Sequence, residues 1–91
     1  MRIGLHPRLL KRVAKLSATA RGQISASLRA LADGSGQPHL HQGLGIRRLR
    51  KDLFECRAGL QRRIVFFAEK GLLTAYDVMT HDQLRAWLRG R

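Results

Sequence analysis

The sequence predicts an α+β domain: an N-terminal helical hairpin packed on a small, twisted antiparallel β-sheet, with a short C-terminal helix. Three observations predict it. Apolar residues recur at helical spacing up to about residue 34 and again after residue 81, while the text between them breaks into strand-like runs. Those runs are separated by connectors of hairpin length, so neighbouring strands should run antiparallel. At 91 residues there is room for one small domain, taken as 1–91, and none for a second.

Each element has its own signal. A short strand over residues 1–5 can open the chain. Pro7 suits a first helical position, and Leu9, Leu10, Val13 and Leu16 follow at helical spacing, which predicts a helix over 7–16. Ser17 or Thr19 can cap a second helix whose stripe is Ala20, Ile24, Leu28 and Leu31 and which ends at Gly34. Gly22 costs that helix ~1 kcal/mol relative to alanine. The run Asp33-Gly34-Ser35-Gly36-Gln37-Pro38 is dense in turn formers and marks a loop. Strands are then expected over 49–57, 63–68 and 72–80, joined through residues 58–61 and 69–71. Leu84, Trp87 and Leu88 share one face of a terminal helix, with Asp82 at its start.

Composition bounds the function. There are 18 Lys+Arg against 6 Asp+Glu, a formal +12, and 14 of the 18 are arginines, whose planar donor fork grips phosphate in a bidentate way. A polyanion, in particular nucleic acid, is the expected partner. The 44% hydrophobic content excludes a disordered basic tail. One cysteine, Cys56, allows neither an intrachain disulfide nor a cysteine-based zinc site, which fits a reducing cytoplasm. His39 and His41 lack a third ligand, so no metal and no cofactor are expected. No secretory leader is read at the start, and the longest apolar run, residues 64–68, is far short of the ~20 residues needed to span a bilayer.

Side chains alternate across a strand, which sorts the chemistry-bearing residues by face. Phe54, Ile64, Phe66, Tyr76 and Val78 are expected to face the helices, with Cys56 as a small core residue. Arg57, Arg63 and His81 would then project together from the opposite face. Glu55 and Asp77 share that face and offer ion pairs to the two arginines. Trp87 is expected as a core anchor.

The segment Leu49-Arg50-Lys51-Asp52-Leu53-Phe54-Glu55-Cys56-Arg57, followed by Arg63-Ile64-Val65-Phe66 and by Asp77-Val78-Met79-Thr80-His81, resembles the RelE/ParE superfamily of toxins from type II toxin–antitoxin systems. The YafQ branch of the RelE-like members is favoured by the histidine-bearing ending Met79-Thr80-His81-Asp82-Gln83-Leu84. The resemblance implies a ribosome-dependent endoribonuclease that cuts mRNA without a metal, neutralised by a cognate antitoxin. ParE-like members inhibit DNA gyrase instead, and a plain RNA-binding module is the third alternative. By the resemblance, Arg63 contacts the scissile phosphate, His81 stands where a catalytic residue ends the last strand, and Arg57 stands where related toxins put a basic or histidine side chain; on that basis His81 is read as the acid and both arginines as the positive charge for the phosphorane. His39, His41 or Glu55 would serve as base. Arg47, Arg48, Arg50 and Lys51, with Arg8, Lys11, Arg12 and Lys15, would hold mRNA or ribosomal RNA through phosphates. Glu55 and Leu53 stand where some RelE-like toxins display lysines, and Trp87 stands near a tyrosine used by others.

Overall fold

The computed structural model describes residues 2–34 and 44–90. In chain order these form β1 (Arg2–Leu5), α1 (Pro7–Ala14), α2 (Ala18–Gly34), β2 (Arg47–Arg50), β3 (Leu53–Ala58), β4 (Arg62–Glu69), β5 (Leu72–Thr80) and α3 (His81–Arg89). The α+β architecture with a helical hairpin, a sheet and a terminal helix is as expected.

The helices begin where the sequence provides caps. Pro7 opens α1, and His6 caps it by accepting the backbone N–H of Arg8 at Nδ1, 3.1 Å away. The Ser17 hydroxyl accepts from the backbone N–H of Ala20 at the start of α2. At α3 the capping is reciprocal: Thr80 Oγ1 accepts from Gln83 N–H at 3.2 Å, and Gln83 Oε1 accepts from Thr80 N–H at 2.9 Å. That box fixes where strand becomes helix.

The sheet has the order β1-β5-β4-β3-β2 and is mixed. The pairs β2–β3, β3–β4 and β4–β5 are antiparallel, whereas β1 pairs in parallel with the edge of β5, from Arg2 opposite Leu72 to Leu5 opposite Ala75. A parallel partner requires a crossover, and the helical hairpin supplies its first part.

Two further expectations are corrected. The strand read over 49–57 is two strands, because Lys51 and Asp52 form a tight turn between β2 and β3. Asp52 is a turn former, but no Gly, Asn or Pro accompanies it, so the break carries a single turn signal inside a strand-like run. The second correction concerns faces. In β5 the register passes from Val65 opposite Asp77 to Phe66 opposite Ala75, leaving Tyr76 as a bulged extra residue. A one-residue slip exchanges the faces of everything before it. Leu73 and Ala75 therefore join Val78 under the helical hairpin, while Tyr76 turns away to contact His6, Phe67 and Trp87, at ring separations of 4.8, 5.6 and 5.9 Å.

Burial follows this sorting on both sides of the sheet. Beneath the hairpin, Leu9, Ile24 and Leu31 pack on Cys56, Ile64, Phe66, Leu73, Ala75 and Val78. On the opposite face, which strand alternation had assigned to the charged residues, α3 covers a second cluster of Leu53, Val65, Met79 and Leu84, flanked by Phe67, Trp87 and Leu88. The central strands are thus apolar on both faces, which explains the unbroken run Ile64-Val65-Phe66-Phe67 in β4. Among the described residues no helix is long and apolar enough to cross a membrane.

Candidate functional site

The end of the sheet beyond this second core gathers the polar chemistry. Arg57 of β3 lies directly opposite Arg63 of β4, and Arg63 lies opposite Met79 of β5, so the three occupy one row across the sheet. His81 stands two residues past Met79 as the first residue of α3, exposed beside the Thr80 cap. The register therefore brings both arginines and the histidine to one end of the sheet.

Glu55 lies one side-chain step behind Arg57 on β3 and is buried, 5% exposed. Its Oε1 is 3.5 Å from Arg63 Nε, and its Oε2 is 3.7 Å from Arg47. Neither separation is a tight pair, and Oε2 is buried with no hydrogen-bond partner among the described residues. Arg63 also donates to the carbonyl of Arg62. Arg57 is held differently. Its backbone N–H donates to the carbonyl of Leu44, and its side chain lies along Gly45, where a Cβ would come within 3.0 Å of Arg57 Nε. Gly45 has φ +61, so a side chain there would meet both strain and the guanidinium arm.

The other expected phosphate contacts divide by engagement. Arg50 donates to the carbonyl of Leu88 and Arg48 to that of Arg50, whereas Lys51 sits exposed in the β2–β3 turn. On α1, Arg8 and Arg12 are committed to Asp77: Arg8 Nε donates to Oδ2 at 2.9 Å, and Arg12 donates to both carboxylate oxygens at 2.8 and 3.2 Å. Lys11 on the same helix and Lys15 at its C-cap remain exposed. His39 and His41 lie outside the described residues. Among those described, no group of three His, Cys, Asp or Glu side chains is placed to hold a metal.

Asp77, expected to pair with Arg57 or Arg63, instead faces α1. Its side chain is fully buried. Burial alone would raise its pKa, but hydrogen bonds from Arg12, Arg8 and the backbone N–H of Val78 outweigh that and hold the carboxyl below the ordinary aspartate value. The contact with Asp77 in turn raises the Arg8 pKa. The sequence signal for this network was the i, i+4 spacing of Arg8 and Arg12, which puts both on one helix face. Cys56 is fully buried in the hairpin core, as expected, and burial together with the Glu55 charge pushes its thiol up to about 12, which excludes it as a nucleophile at neutral pH.

No protein-family model matches the sequence, and no curated protein matches it. Solved structures do match in shape. A chain of the RelB–RelE antitoxin–toxin complex from Methanococcus jannaschii superposes with a TM-score of 0.72 at 12% identity, covering 92% of this chain and 96% of that one. The fold is that of the RelE-like toxins. A chain of the archaeal RelE–RelB complex from Pyrococcus horikoshii gives a TM-score of 0.71 at 14% identity over 87% of this chain and 92% of the other. YafQ from Escherichia coli gives 0.69 at 17% identity over 92% and 98%. The RelE-like fold thus accounts for nearly the whole length on both sides of each comparison, at identities that carry shape and not chemistry.

Proposed function

We propose that the protein is the toxin of a toxin–antitoxin system and acts as a ribosome-dependent, metal-independent mRNA endoribonuclease in the cytoplasm, held in check by a cognate antitoxin. The observation that carries this reading is the facing pair Arg57 and Arg63 at the sheet end where His81 opens α3, set in a chain of net charge +12 with a RelE-like fold.

In the proposed reaction the ribose 2′-oxygen attacks the adjacent phosphorus and the bond to the 5′-oxygen breaks, giving a 2′,3′-cyclic phosphate and a free 5′-hydroxyl. The proton lost from the 2′-hydroxyl goes to a base, and the leaving 5′-oxygen takes one from His81 as general acid. Arg63 and Arg57 stabilise the negative charge of the crowded phosphorane. Of the base candidates, Glu55 is the one among the described residues; it lies 3.5 Å from Arg63 and is buried, so its part in the reaction is the one that Glu55→Gln tests.

Translating ribosomes incubated with the purified protein should yield new mRNA 5′ ends, mapped by primer extension. His81→Ala should lower the cleavage rate by roughly 10²–10⁴-fold, and Arg63→Ala by a comparable factor. Glu55→Gln should slow cleavage while preserving the fold. Absence of new 5′ ends would overturn the reading. Toxicity that survives His81→Ala without cleavage would instead favour a ParE-like gyrase inhibitor.

A further inference from the structure

A second feature lies around the corner from the arginine row. Arg62 and Arg63 are consecutive on β4, so their side chains leave opposite faces of the sheet. On the Arg62 side, between α1 and the β5–α3 junction, is an open cleft of about 230 Å³. Three cations line it, Arg12 of α1, Lys15 at the C-cap of α1 and Arg62 of β4, together with Thr80 and Gln83 of the α3 capping box and the apolar side chains of Leu16, Val78 and Met79. Among the described residues no carboxylate lines this cleft.

The hydrogen-bonding capacity left over at these residues has one sign. Arg12 commits its Nε and Nη2 donors to buried Asp77, which fixes the guanidinium plane and leaves its remaining N–H donors free of that contact. Thr80 Oγ1 accepts from Gln83 N–H and so keeps its own proton to donate. Gln83 Oε1 accepts from Thr80 N–H, which leaves its amide NH₂ as a donor pair. A cleft with three cations, a hydroxyl donor and an amide donor, one cation held in place by a buried carboxylate, matches a tetrahedral oxyanion.

We propose that this cleft binds a backbone phosphate of single-stranded RNA, as a subsite next to the arginine row. The choice of RNA as ligand rests on the ribonuclease reading. Arg62 pairs in register with Thr80, and their chain neighbours are Arg63 and His81, so a strand passing over the end of the sheet would meet the reacting groups and then the cleft.

Binding of a 2′-O-methyl RNA oligonucleotide, which has no 2′-hydroxyl to attack, tests the subsite independently of any cleavage. Affinity would be measured by fluorescence anisotropy across a salt series. Lys15→Gln with Arg62→Gln is expected to flatten the plot of log affinity against log salt by about 0.7, the slope contributed by one phosphate contact on a single strand. Lys70→Gln, which removes a charge from the β4–β5 turn at the far end of β4, should leave the slope unchanged. An unchanged slope in the double variant would overturn the subsite, as would an equal change per charge in Lys70→Gln. Weakened binding of polyglutamate with RNA binding intact would reassign the cleft to an acidic protein segment and overturn it equally. If the double variant flattens the slope but ribosomes yield no new 5′ ends, the subsite stands and the ribonuclease reading falls.

Discussion

Asp77 is the most constrained ionisable residue among those described. It is fully buried, and four N–H donors from Arg8, Arg12 and Val78 converge on it. The guanidiniums of Arg8 and Arg12 remain 48% and 39% exposed, so removing the carboxylate would let them rehydrate and would cost less than breaking a wholly buried pair. Asp77→Asn is therefore expected to destabilise the protein by about 2 kcal/mol at pH 7, in the range of hydrogen bonds to charged groups. The sign of the pH dependence follows from the depressed native pKa. The stabilisation is fully present above the unfolded value of ~3.9 and is lost as the pH falls through the lower native one. Urea unfolding at pH 7 and at progressively lower pH should show the gap between wild type and Asp77→Asn narrowing once the pH drops below about 4. A gap that stayed constant would mean that Asp77 contributes through shape alone.

Among the elements, the junction of β5 and α3 matters most, because the strand ends and the helix begins at Thr80 with no intervening loop. The capping box holds that junction, and His81 is the first helical residue after it. Thr80→Ala should cost about 1 kcal/mol, measured by urea denaturation. Ribosome-dependent cleavage should fall by more than that loss of folded protein explains, because the helix start carrying His81 is no longer fixed. Thr80→Ser, which retains the hydroxyl, should restore most of both. The bulge at Tyr76 falls on a residue that favours strands, so the register of neighbouring strands decides where it lies, whereas the Lys51–Asp52 turn carries a local signal in Asp52 that the apolar pattern on either side outweighs.

Across the entire chain, the strongest electrostatic influence is the net charge of +12 on 91 residues. Such a charge favours association with polyanions and opposes compaction through self-repulsion. Screening should relieve the repulsion, so the melting temperature is expected to rise by several degrees between 20 and 300 mM sodium chloride, where the Debye length shortens to well under 10 Å. A fall would mean that the few ion pairs at Asp77 and Glu55 outweigh the general repulsion. RNA affinity should move in the opposite direction over the same range.

Local pattern was enough for the class of the fold and the rough place of the helices and of β3, β4 and β5, though not for β2 as a strand of its own, because helical periodicity, caps and apolar runs are properties of neighbouring residues. Alternation put Arg57, Arg63 and His81 on one face of the sheet, and the register places the two arginines opposite each other, with His81 at the start of α3. Which charges pair with one another was settled by packing. Asp77 went to Arg8 and Arg12, not to Arg57 or Arg63, because the bulge beside it and the parallel β1 bring α1 within reach of its strand. Glu55 kept a buried place beside Arg63, and the face of the sheet that carries Arg57 and Arg63 holds a second core under α3. These outcomes depend on contacts between residues far apart in the chain, which a local pattern does not encode.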